Sequence, residues 1–345
     1  MKIRTRAATY GLAGLALAGA IIFSGWSFGL IGSDSSGVLS VLFTDPPTVP
    51  VGVTGVYISY SSLAVHALGF GNSGWISIPG HGTFDSMRLV NLSQMVSSDT
   101  VPPLTYDEMR FTIISATVQF VGRNYSATVN SGSLEVPIIG GLKVNSTSPA
   151  AALVDVQPTI INLGNNSDPA FALAAGAKAL QVPSGDVDQL TKVAGQQVSL
   201  AGHGWFASFR AEYSDNFSGS AVSVTPNSFS ITVQNSGHSQ ITVRMLVVAP
   251  DTKGGEDSAL GAAADSAVFL VEPNGSLQLL SGPPGQVQSH LNEPGYLLAG
   301  GTSQKFSYSG NITSLRGGNT PVVGTSYYVV VIGTGTISAQ LVTAT

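Results

Sequence analysis

Apolar and polar side chains alternate over many short stretches of this chain, and that alternation leaves few folds open to it. In the stretch "GVYISYSSLAVHAL", apolar residues lie two apart from Val56 to Tyr60, which is the repeat of a β-strand. The alternation resumes at Leu63 with the opposite parity, so we predict a β-bulge at Ser61-Ser62. The chain therefore begins, after its first 32 residues, as a series of strands.

Turn-forming residues separate the strand candidates, since the 345 residues include 41 glycines and 18 prolines. About seven strand candidates, among them "GWFASFRAEYS", follow residue 196, which is typical of a two-sheet sandwich. We predict an all-β protein with two β-sandwich domains, jelly-roll or immunoglobulin-like, at residues 33–164 and 196–345. In the first domain, the even-numbered residues from Ile114 to Phe120 are expected to form one apolar strand face, followed by a turn at residues 122–124.

A short helix is predicted between the two domains. Asp168 can cap a helix, Pro169 suits a first helical turn, and the alanine-rich stretch "AFALAAGAKAL" follows. The stretch "SGDVDQLTK" is a second candidate for a helical turn. We therefore assign residues 165–195 to a helical connector.

The N-terminus has the pattern of an export segment. Lys2, Arg4 and Arg6 are followed by an uncharged run that extends from Ala7 to Gly32. Residues 1–32 are thus a signal peptide, cleaved near the small residues that end at Ala20, or a retained membrane anchor. Both alternatives stay open from the sequence alone.

Residues 21–32 combine this export context with the repeat of a strand. Trp26, Phe28 and Leu30 lie two apart, with glycine and serine between them, and Ile22 adds an apolar residue upstream. Cleavage near residue 20 would leave this apolar segment at the start of the mature chain. We predict that it is a donor strand, which completes the sheet of a neighbouring molecule.

Composition and motifs exclude several function classes. The chain has no cysteine, no basic run after Arg6, and a charged fraction of 10%, so thiol catalysis and nucleic-acid binding have no support. The glycine-rich stretch "GFGNSG" precedes a strand pattern, so it predicts a hairpin loop and no dinucleotide site. No metal or catalytic motif involves the five histidines, which we assign to turns or the surface. We expect no enzyme activity, cofactor or metal, and we leave open whether the acidic loop 251–258 binds calcium.

Glycosylation is predicted because Asn-x-Ser/Thr acceptors are frequent in an exported chain with few charges. The seven acceptors are Asn91, Asn124, Asn145, Asn165, Asn216, Asn274 and Asn311.

The first half of the chain is similar to a known family. The stretches "GVYISYSSLAVHA", "GWISIPGHGTFDSMRLVNLSQ" and "VPPLTYDEMRFTIISATVQFVGRNYSATVNSGSLEVPI" resemble an extracellular β-sandwich domain of unknown function from archaea and bacteria. Relatives of that family resemble subunits of archaeal threads and bundling pili. In those proteins a cleaved leader frees an N-terminal strand that completes the next subunit, and residues 21–32 stand at the corresponding place.

These observations predict an extracellular, cell-surface filament subunit whose partners are copies of itself and N-linked glycans. The alternative is a membrane-attached binding module that recognises glycans or peptides through exposed aromatic residues. The aromatic candidates for that second function are Tyr57, Trp75, Trp205, Tyr327 and Tyr328.

Overall fold

Strands dominate the structure, a computed structural model in which two α-helices accompany nineteen strands within the described residues. The prediction of an all-β protein is therefore confirmed. The structure describes residues 36–45, 47–129, 133–165, 167–214, 217–237, 240–251, 261, 263–282, 295–333 and 336–345.

The first half of the chain forms one ten-stranded sheet. Along it the strands follow the order β10-β4-β1-β8-β9-β6-β5-β2-β3, and β7 pairs with both β5 and β9. The strands are β1 Gly37–Thr44, β2 Val53–Ala67, β3 Trp75–Asp85, β4 Leu92–Val101, β5 Thr105–Phe120, β6 Arg123–Val129, β7 Ser133–Lys143, β8 Ala150–Asn162, β9 Phe171–Gln181 and β10 Gln197–Ser199.

The sheet curves around a single apolar core, to which nearly all of its strands contribute. The predicted bulge in β2 is confirmed, because its register against β3 shifts between Ser61 and Leu63, and Ser62 has a φ of 59°. A second irregularity changes one prediction. The register of β5 against β2 shifts next to Ile114, whose side chain is consequently 61% exposed, while Ala116, Val118 and Phe120 face the core as expected.

The helix predicted after Pro169 is wrong. Residues 171–181 are strand β9, which lies in the middle of the sheet and pairs along its length with β8. The odd-numbered residues from Phe171 to Ala179 face the core, and Ala172 on the opposite face packs against other elements. Because both faces of the strand are buried, neither shows the polar positions that mark a strand, and tertiary pairing overrides the helix propensity of alanine.

Two helices follow. The helical turn predicted in "SGDVDQLTK" is confirmed as α1, Ser184–Leu190, whereas "GWFASFRAEYS" is helix α2, Gly204–Ser214, and the predicted strand there is wrong. Phe206 and Phe209 lie three residues apart on α2 and are both buried, which is the spacing of one helix face. With α1 they cover the outer face of the first sheet.

These elements correct the domain boundary. The segment 165–195 is no connector, because it supplies a central strand and a helix to the first half, and the first sheet extends to Ser199.

The rest of the chain forms two further sheets that enclose a second core. The second sheet has the order β11-β12-β17; the third has the order β15-β14-β13-β18-β19, with β16 paired to β13. The strands are β11 Phe217–Thr225, β12 Ser228–Asn235, β13 Ile241–Pro250, β14 Ala267–Val271, β15 Leu277–Leu279, β16 Tyr296–Leu298, β17 Thr302–Ser309, β18 Ser326–Gly333 and β19 Thr336–Thr343.

The first and third sheets pack directly against each other. Ile161 and Leu163, at the end of β8, share an apolar cluster with Met245 and Val247 of β13. No helix within the described residues is long and apolar enough to cross a membrane.

Candidate functional site

Strand β17 forms an edge of the second sheet. It pairs with β12 over eight consecutive residues without a shift in register, and no described strand pairs with its other side. Lys305 is its single charged residue. A long, regular edge with one charge is the kind of edge to which another strand can add.

A row of half-buried apolar side chains borders this edge. Tyr308 of β17 and Tyr296 of β16 lie against the second core together with Leu277 and Leu279 of β15. We call these four residues the β17 corner. Behind them lies the fully buried Phe306, whose ring centroid is 5.5 Å from that of Tyr296. The corner therefore presents apolar surface beside a strand edge that no described strand pairs.

The other long edges are protected. On the opposite side of the same two sheets, β11 lies beside β19, where the backbone N–H of Gly219 donates to Oγ of Ser338 at 3.2 Å. In the first sheet, β3 contains Pro79 and a bulge, and Oγ of Ser97 on β4 donates to the Pro79 carbonyl. Proline, bulges and covering strands are the usual means by which proteins block sheet edges.

The N-terminus leaves the first sheet far from the β17 corner. Leu39 of β1 is in register with Ala150 of β8, and the two strands are parallel. Ile161, which contacts the third sheet, lies eleven residues further along β8, or about 36 Å at 3.3 Å per residue. Gly37 therefore lies at the end of the first sheet that faces away from the other two sheets.

The predicted donor residues Ile22, Trp26, Phe28 and Leu30 lie outside the described residues.

A polar cleft lies between the third sheet and the loop 318–322 that precedes β18. Its volume is about 300 Å³, and its lining includes the side chains of Asp265, Asn319, Thr320 and Tyr327. The Tyr327 hydroxyl accepts a hydrogen bond from the backbone N–H of Val322 at 2.8 Å, which fixes one wall. Convergent carboxylate, amide and hydroxyl groups beside an aromatic ring can bind the hydroxyl groups of a sugar.

His66 departs from the surface role expected of it. Its Nδ1 lies 2.7 Å from an Asp107 oxygen, its Nε2 lies 2.6 Å from the Gly71 carbonyl oxygen, and its ring packs on Trp75. The hydrogen bond to Asp107, followed by that to the Gly71 carbonyl, raises the pKa of His66. The imidazole thus ties the β2–β3 hairpin loop to β5. No spacing in the sequence pointed to this contact, because Asp107 comes 41 residues later.

The aromatic residues proposed for ligand contact mostly have structural partners. Arg110 stacks over Trp75 at 4.1 Å, and Trp205 Nε1 donates to Asp186 at 2.8 Å. Tyr327 is 7% exposed and lines the cleft, Tyr328 packs in the cluster between the first and third sheets, and Tyr57 is half-buried.

Most predicted glycosylation acceptors lie on the surface, although the modification itself stays a prediction. Asn165 is half-buried in the β8–β9 turn, where its Oδ1 accepts from the backbone of Asp168, and Asn216 lies outside the described residues. The Asn91 side chain accepts from Arg210 Nη1 at 2.8 Å. The exposed acceptors are Asn91, Asn124, Asn145, Asn274 and Asn311.

The glycine-rich stretch "GFGNSG" is confirmed as a hairpin loop, since a 3₁₀ turn at Gly71–Ser73 leads directly into β3. Of the acidic loop 251–258, the structure describes Asp251 alone. No group of three or more acidic or histidine side chains within the described ranges is arranged to hold a metal ion.

The β17 corner was not predicted from the sequence. Its four residues come from three strands, two of which are only three residues long. The single sequence clue is the near-absence of charge in "TSQKFSYS". Comparison with known proteins adds no assignment, because no family model and no curated protein matches the chain.

Proposed function

We propose that this chain is a secreted structural protein of the cell surface, which polymerises into filaments by strand addition. In this proposal, residues 21–32 of one copy pair with strand β17 of the next copy. Trp26, Phe28 and Leu30 then cover the β17 corner. The two halves of the chain act as two β-sandwich domains, the second immunoglobulin-like, and the molecule carries N-linked glycans.

The observation that carries the proposal is the distance, within one molecule, between the start of β1 and strand β17. Seven residues separate Leu30 from Gly37, and fully extended they span about 25 Å. The first sheet alone occupies about 36 Å between the start of β1 and the contact with the third sheet. Leu30 therefore cannot reach β17 of its own copy, so pairing of the whole segment 21–32 with the β17 corner joins different copies head to tail.

Complementarity supports the same pairing. The donor segment carries no charge, and the corner offers apolar side chains beside a single lysine. Burial of three large apolar side chains contributes about 1.5–3 kcal/mol each, in addition to the backbone hydrogen bonds of a new strand pair. The resemblance of the first half to thread and bundling-pilus subunits agrees with this assembly.

Disulfide trapping tests the pairing, because the chain has no cysteine of its own. The full-length variant Phe28→Cys/Tyr308→Cys, secreted and oxidised, is expected to form a ladder of reducible multimers. The matched control Phe28→Cys/Leu341→Cys places the second thiol on β19, at the closed side of the two sheets, and is expected to give no ladder. Equal ladders from both variants, or none from the first, would contradict strand addition at β17.

Two further measurements test the filament itself. Electron microscopy of the secreted wild-type protein is expected to show fibres, and Trp26→Ser/Phe28→Ser is expected to abolish them. N-terminal sequencing is expected to place the mature start near Ile21. An intact Met1 would instead indicate a membrane tether.

The cleft in the third sheet supports a second candidate function, recognition of surface glycans by a tethered module. Asp265 and Asn319 would bind sugar hydroxyl groups there. Retention on immobilised polysaccharides, lost in Asn319→Ala and kept in the exposed-site control Asn311→Ala, would favour this candidate.

A further inference from the structure

A β-bulge in strand β13 directs Arg244 toward the first sheet. From Val243 to Met245 the strand advances by two residues while its partner β18 advances by one, so Arg244 has no counterpart on β18. Val243 and Leu246, on either side of the bulge, face the second core. Arg244 and Met245 between them line a cavity that also borders the first sheet. Bulges re-aim side chains in this way, often beside functional sites.

This cavity, which we call the Arg244 cavity, lies at the contact between the first and third sheets. Its volume is about 10 Å³, which is room for one particle of about the size of a water molecule. Among the described residues that line it, Arg244 alone is polar or charged. The apolar lining includes Ile161, Ala172, Met245, Leu270 and Ile332.

The guanidinium of Arg244 has no acceptor among the described residues. Its Nε is buried without a hydrogen-bond partner, and no ion pair within the described ranges includes Arg244. Burial lowers the pKa of Arg244, although a guanidinium still carries its charge at neutral pH. A buried charge without a partner is strongly unfavourable. The cavity therefore offers a positive charge and a dry N–H donor to an anion from the solvent.

We propose that Arg244 binds a chloride ion in this cavity. A water molecule at a buried site needs two to four polar partners, whereas the lining supplies one guanidinium and no side-chain acceptor. A chloride ion needs donors only. It can accept from Nε and the adjacent Nη of Arg244, and it compensates the positive charge, which a water molecule cannot do.

The size and the lining of the cavity favour an anion of one atom. Sulfate and phosphate hold four oxygen atoms around a central atom, and each would leave the hydration of two charges for an apolar site. Chloride is only slightly larger than water, and the flexible side chain of Met245 can adjust to it. Residues of both halves surround the ion, among them Ala172 of β9 and Leu270 of β14. Binding is therefore expected to stabilise the contact between the first and third sheets.

Thermal unfolding of the full-length chain, expressed in a bacterial host, tests the site. Sodium chloride is expected to raise the Tm up to a saturating value. Sodium gluconate at the same ionic strength is not expected to do so, because its anion is too large for the cavity. Equal effects of the two salts would overturn the proposal.

Two variants assign the chloride response to one residue. Arg244→Met is expected to abolish it. The matched control Arg316→Met removes the same charge at an exposed position and is expected to keep the response. Arg244→Lys keeps the charge but loses the fork of N–H groups, so we expect chloride affinity to fall about 10- to 100-fold. A response retained in Arg244→Met, or lost equally in Arg316→Met, would contradict the assignment.

A crystal of the wild-type protein grown with sodium bromide gives a readout that needs no variant. Anomalous scattering is expected to place a bromide ion in contact with Nε of Arg244. A cavity without bromide would overturn the proposal even if the variants did not fold. The proposal is independent of filament assembly, because it involves neither residues 21–32 nor β17.

Discussion

His66 donates from both of its ring nitrogens, to the carboxylate of Asp107 at 2.7 Å and to the carbonyl oxygen of Gly71 at 2.6 Å. Both partners are acceptors, so this arrangement requires the doubly protonated imidazolium form. One charged side chain thereby fastens the β2–β3 hairpin loop to strand β5. The loop carries the exposed Leu68 and Phe70.

The stability of this loop is expected to depend on pH. The pKa of His66 is raised above its ordinary value of 6.5, so the folded state binds the proton more tightly than the unfolded state. The stabilising contribution is complete below about pH 6.5 and is lost as the pH rises through the raised value. Because Asp107 is partly exposed, we expect this contribution to the free energy of unfolding to be about 0.5–1 kcal/mol.

Amide hydrogen exchange of residues 68–74, measured from about pH 5 to about pH 9, checks this prediction against the variant His66→Gln at each pH. Protection in the wild-type loop is expected to exceed that in the variant at low pH and to converge with it at high pH. A constant difference across the range would contradict the role of protonation.

Phe306 is expected to be a major source of stability for the second core. It is fully buried under the β17 corner, so Phe306→Ala is expected to lower the free energy of unfolding by about 3–5 kcal/mol. Phe70→Ala, at a position 47% exposed, is the control and is expected to change it by less than about 0.5 kcal/mol. Urea unfolding of both variants measures the difference. Similar free energies of unfolding would contradict the tight packing of Phe306 beneath the β17 corner.

Tyr106 anchors the start of β5 through its hydroxyl. The buried hydroxyl donates to the Pro102 carbonyl at 2.7 Å, and burial raises the pKa of Tyr106 to about 12. Tyr106→Phe is expected to lower the free energy of unfolding by about 0.5–1.5 kcal/mol, with little effect from Tyr57→Phe. Absorbance titration of the folded wild-type protein is expected to include a tyrosine that ionises only near pH 12, and this late step is expected to be absent in Tyr106→Phe.

Substitution by alanine at two glycines is expected to change the stability of the protein in opposite directions. A Cβ at Gly164 would lie 2.6 Å from the backbone nitrogen of Ala170 in the β8–β9 turn, so Gly164→Ala is expected to cost about 1–3 kcal/mol. A Cβ at Gly185 in α1 would meet nothing within 4 Å, so Gly185→Ala is expected to stabilise the protein by about 0.4–1 kcal/mol. Thermal unfolding of the two variants checks the signs, and a stabilising Gly164→Ala would refute the tight turn.

Strands with one polar face could be predicted from the sequence, because apolar residues that face the core alternate along them with polar residues that face water. The register change in β2 could be predicted for the same reason, because the apolar alternation changes parity between Tyr60 and Leu63. Ile114 was misplaced because a bulge in β5 depends on its partner strand, about which the local sequence is silent.

The two larger errors have a common origin in burial. Strand β9 is covered on one face by the core and on the other by the third sheet and the helices, so Ala172 and Leu173 are both buried and the pattern loses its period. In α2, Trp205 and Phe206 suggested a strand of large residues, whereas Phe209 completed a helix face. The β17 corner was hidden for another reason, because it is assembled from residues that come together only through sheet topology.

The position of β1 has a mechanical consequence. Between Leu39 and Phe43 the strand is paired on both sides, with β4 and with β8. A force that pulls on the N-terminus along the strand therefore loads both rows of backbone hydrogen bonds in shear, all at once, and cannot peel them apart one by one. If neighbouring molecules pull on each other through their N-terminal segments, the tension enters each molecule at a strand that is held from both sides.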